Sequence, residues 1–220
     1  AYGNQSNATL AESDGSLVVT GTNATANEMS IYRTKIAAAM ASDSPAGATT
    51  PSATHQIAKF VVSNEANDGS YSANVNGMVI TINATNLTEN ATASRTFTLY
   101  KDSVNSSNKV AEATLSSLSG GVYGGTITFG AATTTTTFSG YTVTANTPFK
   151  STEIAAGGSK TFILVADTTT PKAVDTATSY INPTIKAAGI TWADGDTSTG
   201  TSITVVDTLP LDSSSKTLSW

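Results

Sequence analysis

The chain of 220 residues contains no cysteine and a single histidine, and only 12% of its residues are charged. An average soluble domain has about 25% charged residues. The absence of cysteine excludes disulfides and thiolate metal sites. A zinc site would also lack the His and Cys ligands that it needs. We therefore expect no cofactor.

Basic residues and long apolar runs are scarce as well. The eleven Lys and Arg residues are scattered singly, and the net charge is −5. Nucleic-acid binding needs a basic patch, so nucleic acid is excluded as a partner. No stretch approaches the roughly 18 apolar residues that span a bilayer, so we expect no transmembrane segment.

The polar surface is instead built from Thr, Ser, Asn and Gly, and about a fifth of the chain is threonine. Low charge with these residues in place of Lys and Glu is typical of an exported, wall-exposed or filament protein. The first residues, AYGNQS, have neither a charged region nor an apolar run, which is typical of a mature end after removal of a signal peptide. We expect an extracellular or cell-surface location.

Short alternating runs dominate the chain and predict β-strands. They include MVITI at 78–82, RTFTLYK at 95–101 and KTFILVAD at 160–167, the last apolar on both faces and expected as a central strand. Similar runs lie at 56–63, 126–129, 141–145 and 202–207. About ten to twelve strands between Gly- and Asp-rich turns predict an all-β fold, an Ig-like β-sandwich with extra strands.

One segment, TKIAAAMAS at 34–42, is rich in alanine and is therefore the one candidate for a helix in this pattern of strands. It is short, has no cap, and is followed by Ser-Pro. We therefore expect a strand or an irregular segment there.

The first 28 residues differ from the rest, so we expect an N-terminal extension at 1–28 and a sandwich core at 29–220. The extension is polar except for one apolar run between Gly15 and Gly21. This run is either a first strand that pairs within its own sheet, or a tail strand that pairs with a neighbouring subunit. The candidate donor-strand residues are Ser16, Leu17, Val18, Val19 and Thr20.

Catalytic chemistry has little support. A Ser-His-Asp arrangement would have to use His55, and no G-x-S-x-G turn accompanies it. We expect His55 to be a surface or packing residue. We assign no catalytic residue and predict that the chain is not an enzyme.

Two further chemistries have weak candidates. In WADGDTSTG, Asp194, Asp196 and Ser198 alternate as oxygen ligands for calcium do, but no Glu closes the loop. A polar hairpin turn is the alternative. Lysines 59, 101 and 160 lie in predicted strands, where an isopeptide bond to asparagine could form.

Asn-x-Ser/Thr sequons mark candidate glycosylation sites on surface loops. The chain has seven against about four to five expected by chance, and three fall in NATNLTENAT at 83–92. We expect that stretch to be an exposed connection between two strands. The candidates are Asn4, Asn7, Asn23, Asn83, Asn86, Asn90 and Asn105.

Several motifs from residue 29 to the end resemble a known family. In order they are IYRTK, QIAKFVVSNE, TFTLYKDS with TLSSLSGG, TEIAAGGSKTFILVADTTT, ITWADGDTS and LPLDSSSKTLSW. They resemble the β-sandwich modules of large cell-surface proteins from candidate-phyla-radiation (patescibacterial) genomes. The resemblance implies an extracellular, non-enzymatic Ig-like module and brings no catalytic residues with it. One module with an extra N-terminal strand is similar in plan to strand-donating prokaryotic filament subunits.

Two functions follow as hypotheses. The first is a structural subunit of an extracellular filament or pilus, which polymerises with identical subunits head to tail by donor-strand complementation; the C-terminal TLSW is an alternative donor. The second is an S-layer or adhesin domain that binds a cell or host surface or a glycan. Aromatic residues near turns would serve the second, although such residues are more often part of the core or rim of a sandwich: Tyr71, Tyr123, Tyr141 and Trp192.

Overall fold

A computed structural model gives the structure of this chain. It describes residues 10–13, 16–19, 33–66, 71–87, 94–117, 122–130, 134–136, 141–169, 178–195 and 216–219. The chain divides into two compact units, residues 1–31 and residues 32–220. Each unit is described by itself.

Most of the described residues lie in β-strands, and they include one short 3-10 helix at Ser106–Asn108. The strands of the first unit are β1 (Leu10–Ser13) and β2 (Ser16–Val19). Those of the second unit are β3 (Ile36–Met40), β4 (Gly47–Ala48), β5 (His55–Asn64), β6 (Ala73–Leu87), β7 (Ser94–Lys101), β8 (Lys109–Ser117), β9 (Val122–Phe129), β10 (Thr134–Thr136), β11 (Tyr141–Thr147), β12 (Thr152–Ile154), β13 (Ser159–Ala166), β14 (Tyr180–Ala193) and β15 (Leu218–Ser219).

The second unit is built from two sheets. Sheet I has the order β10-β9-β6-β14-β15-β4, with β12 also paired to β6. Sheet II has the order β11-β8-β7-β13-β5-β3. Side chains from both sheets form one apolar core. The predicted all-β sandwich with extra strands is confirmed.

The core is filled by large side chains that the alternating runs supply. Phe60, Phe97 and Phe162 come from sheet II, and Phe129 and Trp192 come from sheet I. All five are at most 1% exposed. Fully burying a side chain of this size stabilises a fold by about 1.5–3 kcal/mol, so these five contacts are a large share of what holds the sheets together.

The pattern of apolar residues along a strand explains which of its side chains are buried. In β5, Phe60, Val62 and Asn64 are buried while Val61 and Ser63 between them are half-buried, as expected when successive side chains point to opposite faces. In β13, all five residues from 162 to 166 are buried. β13 pairs with β5 on one side and β7 on the other, which confirms the predicted central strand.

The order of strands corresponds in part to the two sheets of an immunoglobulin sandwich. That fold has strands A, B, E and D in one sheet and C, F and G in the other. Here β3-β5-β13-β7 and β15-β14-β6 occupy corresponding positions, and β8 to β12 are inserted between β7 and β13. The Ig-like assignment stays a prediction.

Two segments with ambiguous sequence have definite structures. The alanine-rich segment forms β3, which pairs with β5. The expectation of a strand or an irregular segment, in preference to a helix, is therefore confirmed. Asn83 was expected to close the strand and the rest of the stretch to be a loop, which was wrong for 84–87 because β6 continues to Leu87. There Asn83 pairs with Asn182 of β14, and Thr85 pairs with Tyr180. Residues 88–92 lie outside the described part.

The end of sheet I is a pair of very short strands. β15 runs parallel to β4, with Leu218 opposite Gly47 and Ser219 opposite Ala48. Leu218 is 2% exposed and belongs to the core. Part of the TLSW segment, the alternative donor, is therefore seated between β4 and β14 of its own chain.

Candidate functional site

The predicted donor segment forms a strand. β2 covers Ser16 to Val19, and Thr20 lies outside the described residues. β2 pairs antiparallel with β1, with Leu10 opposite Val19 and Ser13 opposite Ser16. The two strands are a sheet of their own within the first unit.

The partner strand β1 was missed at the sequence level, although a signal for it exists. Asp14 and Gly15 lie between Ser13 and Ser16. An Asp-Gly pair between two strand-like segments is a strong short-range indication of a β-hairpin. The segment LAES has little apolar alternation, so the turn was the only local indication of β1.

The start of the second unit is tied to the end of β14. The Nη2 of Arg33 lies 3.1 Å from Oδ1 of Asp194, and its backbone N–H donates to Oδ2 at 3.3 Å. The same guanidinium lies over the ring of Tyr71, 5.8 Å from its centroid. Hydrogen bonding to Arg33 lowers the pKa of Asp194 below its usual value.

This pairing bears on the weak calcium candidate. Arg33 occupies both carboxylate oxygens of Asp194, and Asp196 and Ser198 lie outside the described residues. In the described part of the chain, no three His, Asp or Glu side chains come together as a metal site needs. The turn itself requires glycine, since Gly195 has φ +87° and a Cβ there would lie 2.7 Å from the carbonyl oxygen of Ser72.

Asn64, at the end of β5, joins three segments from within the protein. It is 1% exposed. Its Nδ2 donates to the carbonyl oxygens of Tyr71 and Ile154, at 2.9 and 3.0 Å. Its Oδ1 accepts from Thr34 Oγ1 and from the backbone N–H of Ala66. These four hydrogen bonds satisfy both polar atoms of the buried amide, so Asn64 has a structural role. Its sequence context did not single it out.

His55 lies beside a cleft at the β4 edge of sheet I. Its Nδ1 is 2.9 Å from Thr168 Oγ1, and its Nε2 is 3.3 Å from Thr49 Oγ1. Thr168 is fully buried and also exchanges hydrogen bonds with the backbone of Ser52. Burial lowers the pKa of His55 below its usual value. Two threonines hold the ring through its nitrogens, which fits the predicted packing role.

The candidate sequons fall in different settings. Asn83 is exposed within β6, and Asn86 lies in the same strand. Asn105 is in an exposed loop, where its Oδ1 accepts from Ser107 Oγ at 2.6 Å and its Nδ2 donates to Ser103 Oγ at 2.8 Å. Asn4, Asn7, Asn23 and Asn90 lie outside the described residues.

The aromatic residues do not form a shared sugar-binding surface in the described structure. Trp192 is 1% exposed and packs in the core, which removes it from a surface site. Tyr71 is exposed and contacts Arg33. Tyr123 and Tyr141 lie in β9 and β11, and their side chains are outside the described part of the structure.

Two of the three lysines considered for isopeptide bonds form surface ion pairs. Lys59 Nζ lies 2.7 Å from Asp43 Oδ2, and Lys160 Nζ lies 2.8 Å from Asp102 Oδ2. The side chains of Asp43 and Asp102 are 69% and 43% exposed. These pairs are solvated, whereas an internal cross-link needs a buried setting.

Comparison with known proteins does not assign the chain to a family. No family model, curated protein or solved structure matches the chain. Among the described residues, no helix has the length and apolar character that crossing a membrane requires.

Proposed function

We propose that this chain is the structural subunit of an extracellular filament, and that it polymerises head to tail by donor-strand complementation. The observation that carries the proposal is the separate N-terminal sheet of β1 and β2. A two-stranded sheet by itself is marginally stable in water. Its outer edges carry unpaired N–H and C=O groups, which strand addition to a neighbour would satisfy.

In this proposal the donor strand and its acceptor lie on different surfaces of the subunit. Such a contact is heterologous, and it produces a fibre when its rotation does not close a ring. Burial of Leu17, Val18 and Val19 would contribute about 1.5–3 kcal/mol each. Association costs about 4–15 kcal/mol in lost translational and rotational freedom. Stable assembly therefore also needs the backbone hydrogen bonds that the added strand makes.

The composition supports this role and place. A chain with 12% charged residues and a surface of Thr, Ser, Asn and Gly suits an exported subunit whose neighbours are copies of itself. Within the described residues the sandwich has its own apolar core, and donation of the extension to a neighbouring subunit is the role proposed for it. The partners are therefore identical subunits, at the cell surface or beyond it.

Negative-stain microscopy of three purified proteins tests the proposal. We expect filaments from the full chain and from a control lacking residues 1–9, which retains β1 and β2. We expect dispersed particles from a variant lacking residues 1–31, with a cooperative melting transition that shows the core is folded. Filaments from that last variant would refute the mechanism. Flat sheets from the full chain would favour an S-layer subunit, and dispersed particles would favour an adhesin domain.

A further inference from the structure

In the described part of the chain, β4 is the last strand at one end of sheet I. Within the described structure β4 pairs with β15 and with no other strand. The N–H groups of Gly47 and Thr49 donate to the carbonyls of Thr217 and Ser219, both at 2.8 Å. Because backbone groups alternate in direction along a strand, the N–H and C=O of Ala48 point away from β15. Ala46, Gly47 and Ala48 are exposed, so solvent reaches this edge.

A cleft of about 400 Å³ lies beside β4. Its lining comes from the segment around β4, the start of β5 and the end of the chain: Pro45, Ala46, Ala48, Thr49, Ser52, Thr54, His55, Gln56 and Leu218. None of these residues is Asp, Glu, Lys or Arg. A charged peptide would lose hydration here without gaining an ion pair, so the cleft suits an uncharged strand.

The two described edges of sheet II are less suitable. Ile36 and Ala38 of β3 are 0% and 3% exposed, so that edge is already covered. β11 is interrupted by a bulge between Val143 and Ala145, and bulges discourage strand addition. A second cleft is lined by Lys35 and Glu65, which would place charges against an apolar donor.

We propose that the β4 edge and its cleft are the acceptor for residues Ser16–Thr20 of a second copy of this chain. The proposal rests on the function proposed above and names its docking site. The described part of this segment, SLVV, has no charge, as the cleft has none, and it would pair with Gly47–Ala48 of β4.

The chain has enough length to make this contact between copies. Thirteen residues, 20–32, lie between β2 and Arg33 in the part that the structure does not describe. Fully extended, they span at most about 43–47 Å, from about 3.3–3.6 Å per residue. That reach exceeds the roughly 10 Å that separates the two layers of a sandwich, so a donor strand can extend to another subunit.

Cysteine cross-linking of the full chain tests the docking site, since the natural chain has no cysteine. Ala48→Cys is combined in turn with Leu17→Cys, Val18→Cys and Val19→Cys, so that the unknown register is sampled. A disulfide needs Cα atoms about 4.4–6.8 Å apart. The matched control places the acceptor cysteine at Ala39→Cys, an exposed position on β3 of sheet II. Melting temperatures within a few degrees of the natural chain show that the variants fold.

We expect a ladder of covalent oligomers on non-reducing gels from at least one Ala48→Cys pair and none from the Ala39→Cys pairs. A ladder through Ala39→Cys alone would overturn the docking site but leave strand donation standing. Cross-linked monomer would show that the strand fills its own edge, which overturns both proposals. If filaments form but no Ala48→Cys pair cross-links, the β4 site is overturned. If neither cross-links nor filaments form, the proposed function is overturned too.

Discussion

Arg33 and Asp194 join the first residues of the sandwich to the end of its longest central pair, β6 and β14. The guanidinium lies 3.1 Å from one carboxylate oxygen, and the Arg33 backbone N–H donates to the other at 3.3 Å. The side chains are 44% and 23% exposed. The pair therefore fixes where the chain enters the sandwich while remaining in contact with water.

A double-mutant cycle with Arg33→Ala and Asp194→Ala should give a coupling free energy of about 0.2–1 kcal/mol, because solvent screens an exposed ion pair. Urea denaturation of the four proteins measures it. The matched pair Lys35–Glu65, at 3.4 Å with 54% and 43% exposure, should couple more weakly. A coupling above about 2 kcal/mol for Arg33–Asp194 would show that the site is drier than its exposure indicates.

Replacing Asn64 by alanine should lower the free energy of unfolding by about 2–4 kcal/mol, because several buried groups lose a partner at once and each unsatisfied group costs about 1–3 kcal/mol. Chemical denaturation checks the value. Asn76→Ala is the control, since Asn76 is half-buried and its Oδ1 accepts a hydrogen bond from Ser151 Oγ; it should cost less than about 1 kcal/mol. Equal effects at the two positions would contradict the structural role of Asn64.

Acid should weaken the fold through His55. Burial lowers its pKa in the folded state, so below the unfolded value of about 6.5 the unfolded chain binds more protons. The stabilisation is complete above pH 6.5 and is lost as the pH falls through the folded pKa. Melting temperatures from pH 7.5 down to 4.5 should fall more steeply for the natural chain than for His55→Gln. Parallel curves would contradict the prediction, since this is the only histidine in the chain.

Gly195→Ala should destabilise the protein by roughly 2–3 kcal/mol, because it combines a positive φ with a clash against the backbone of Ser72. Gly157 is the matched control. It has φ +67° but open space around its Cβ position, so Gly157→Ala should cost only about 1–2 kcal/mol. Thermal unfolding of both variants checks the order, and a larger loss at Gly157 would contradict it.

The sequence predicted the strands that alternate strongly. β5, β7 and β13 were identified because their apolar residues repeat every second position or fill both faces. The two-residue strands β4 and β15 were not, because two residues carry no period and their parallel pairing depends on distant parts of the chain. The extension of β6 through Leu87 was missed since Asn is depleted in strands, whereas pairing with β14 decides the structure here.

The candidate site was predictable to a similar extent. The segment SLVVT was recognised from its isolated apolar character, and it forms β2. Its partner β1 could have been found from the Asp14-Gly15 turn. The buried position of Asn64 could not, because a polar residue at a strand end usually lies at the surface.

Image reconstruction of the native assembly tests the central claim most directly. We predict a filament in which residues 16–20 of each subunit pair as a strand with a sheet of the next subunit, at the β4 edge. A filament in which residues 16–19 pair only with residues 10–13 of the same chain, and contact no neighbour, would contradict the account.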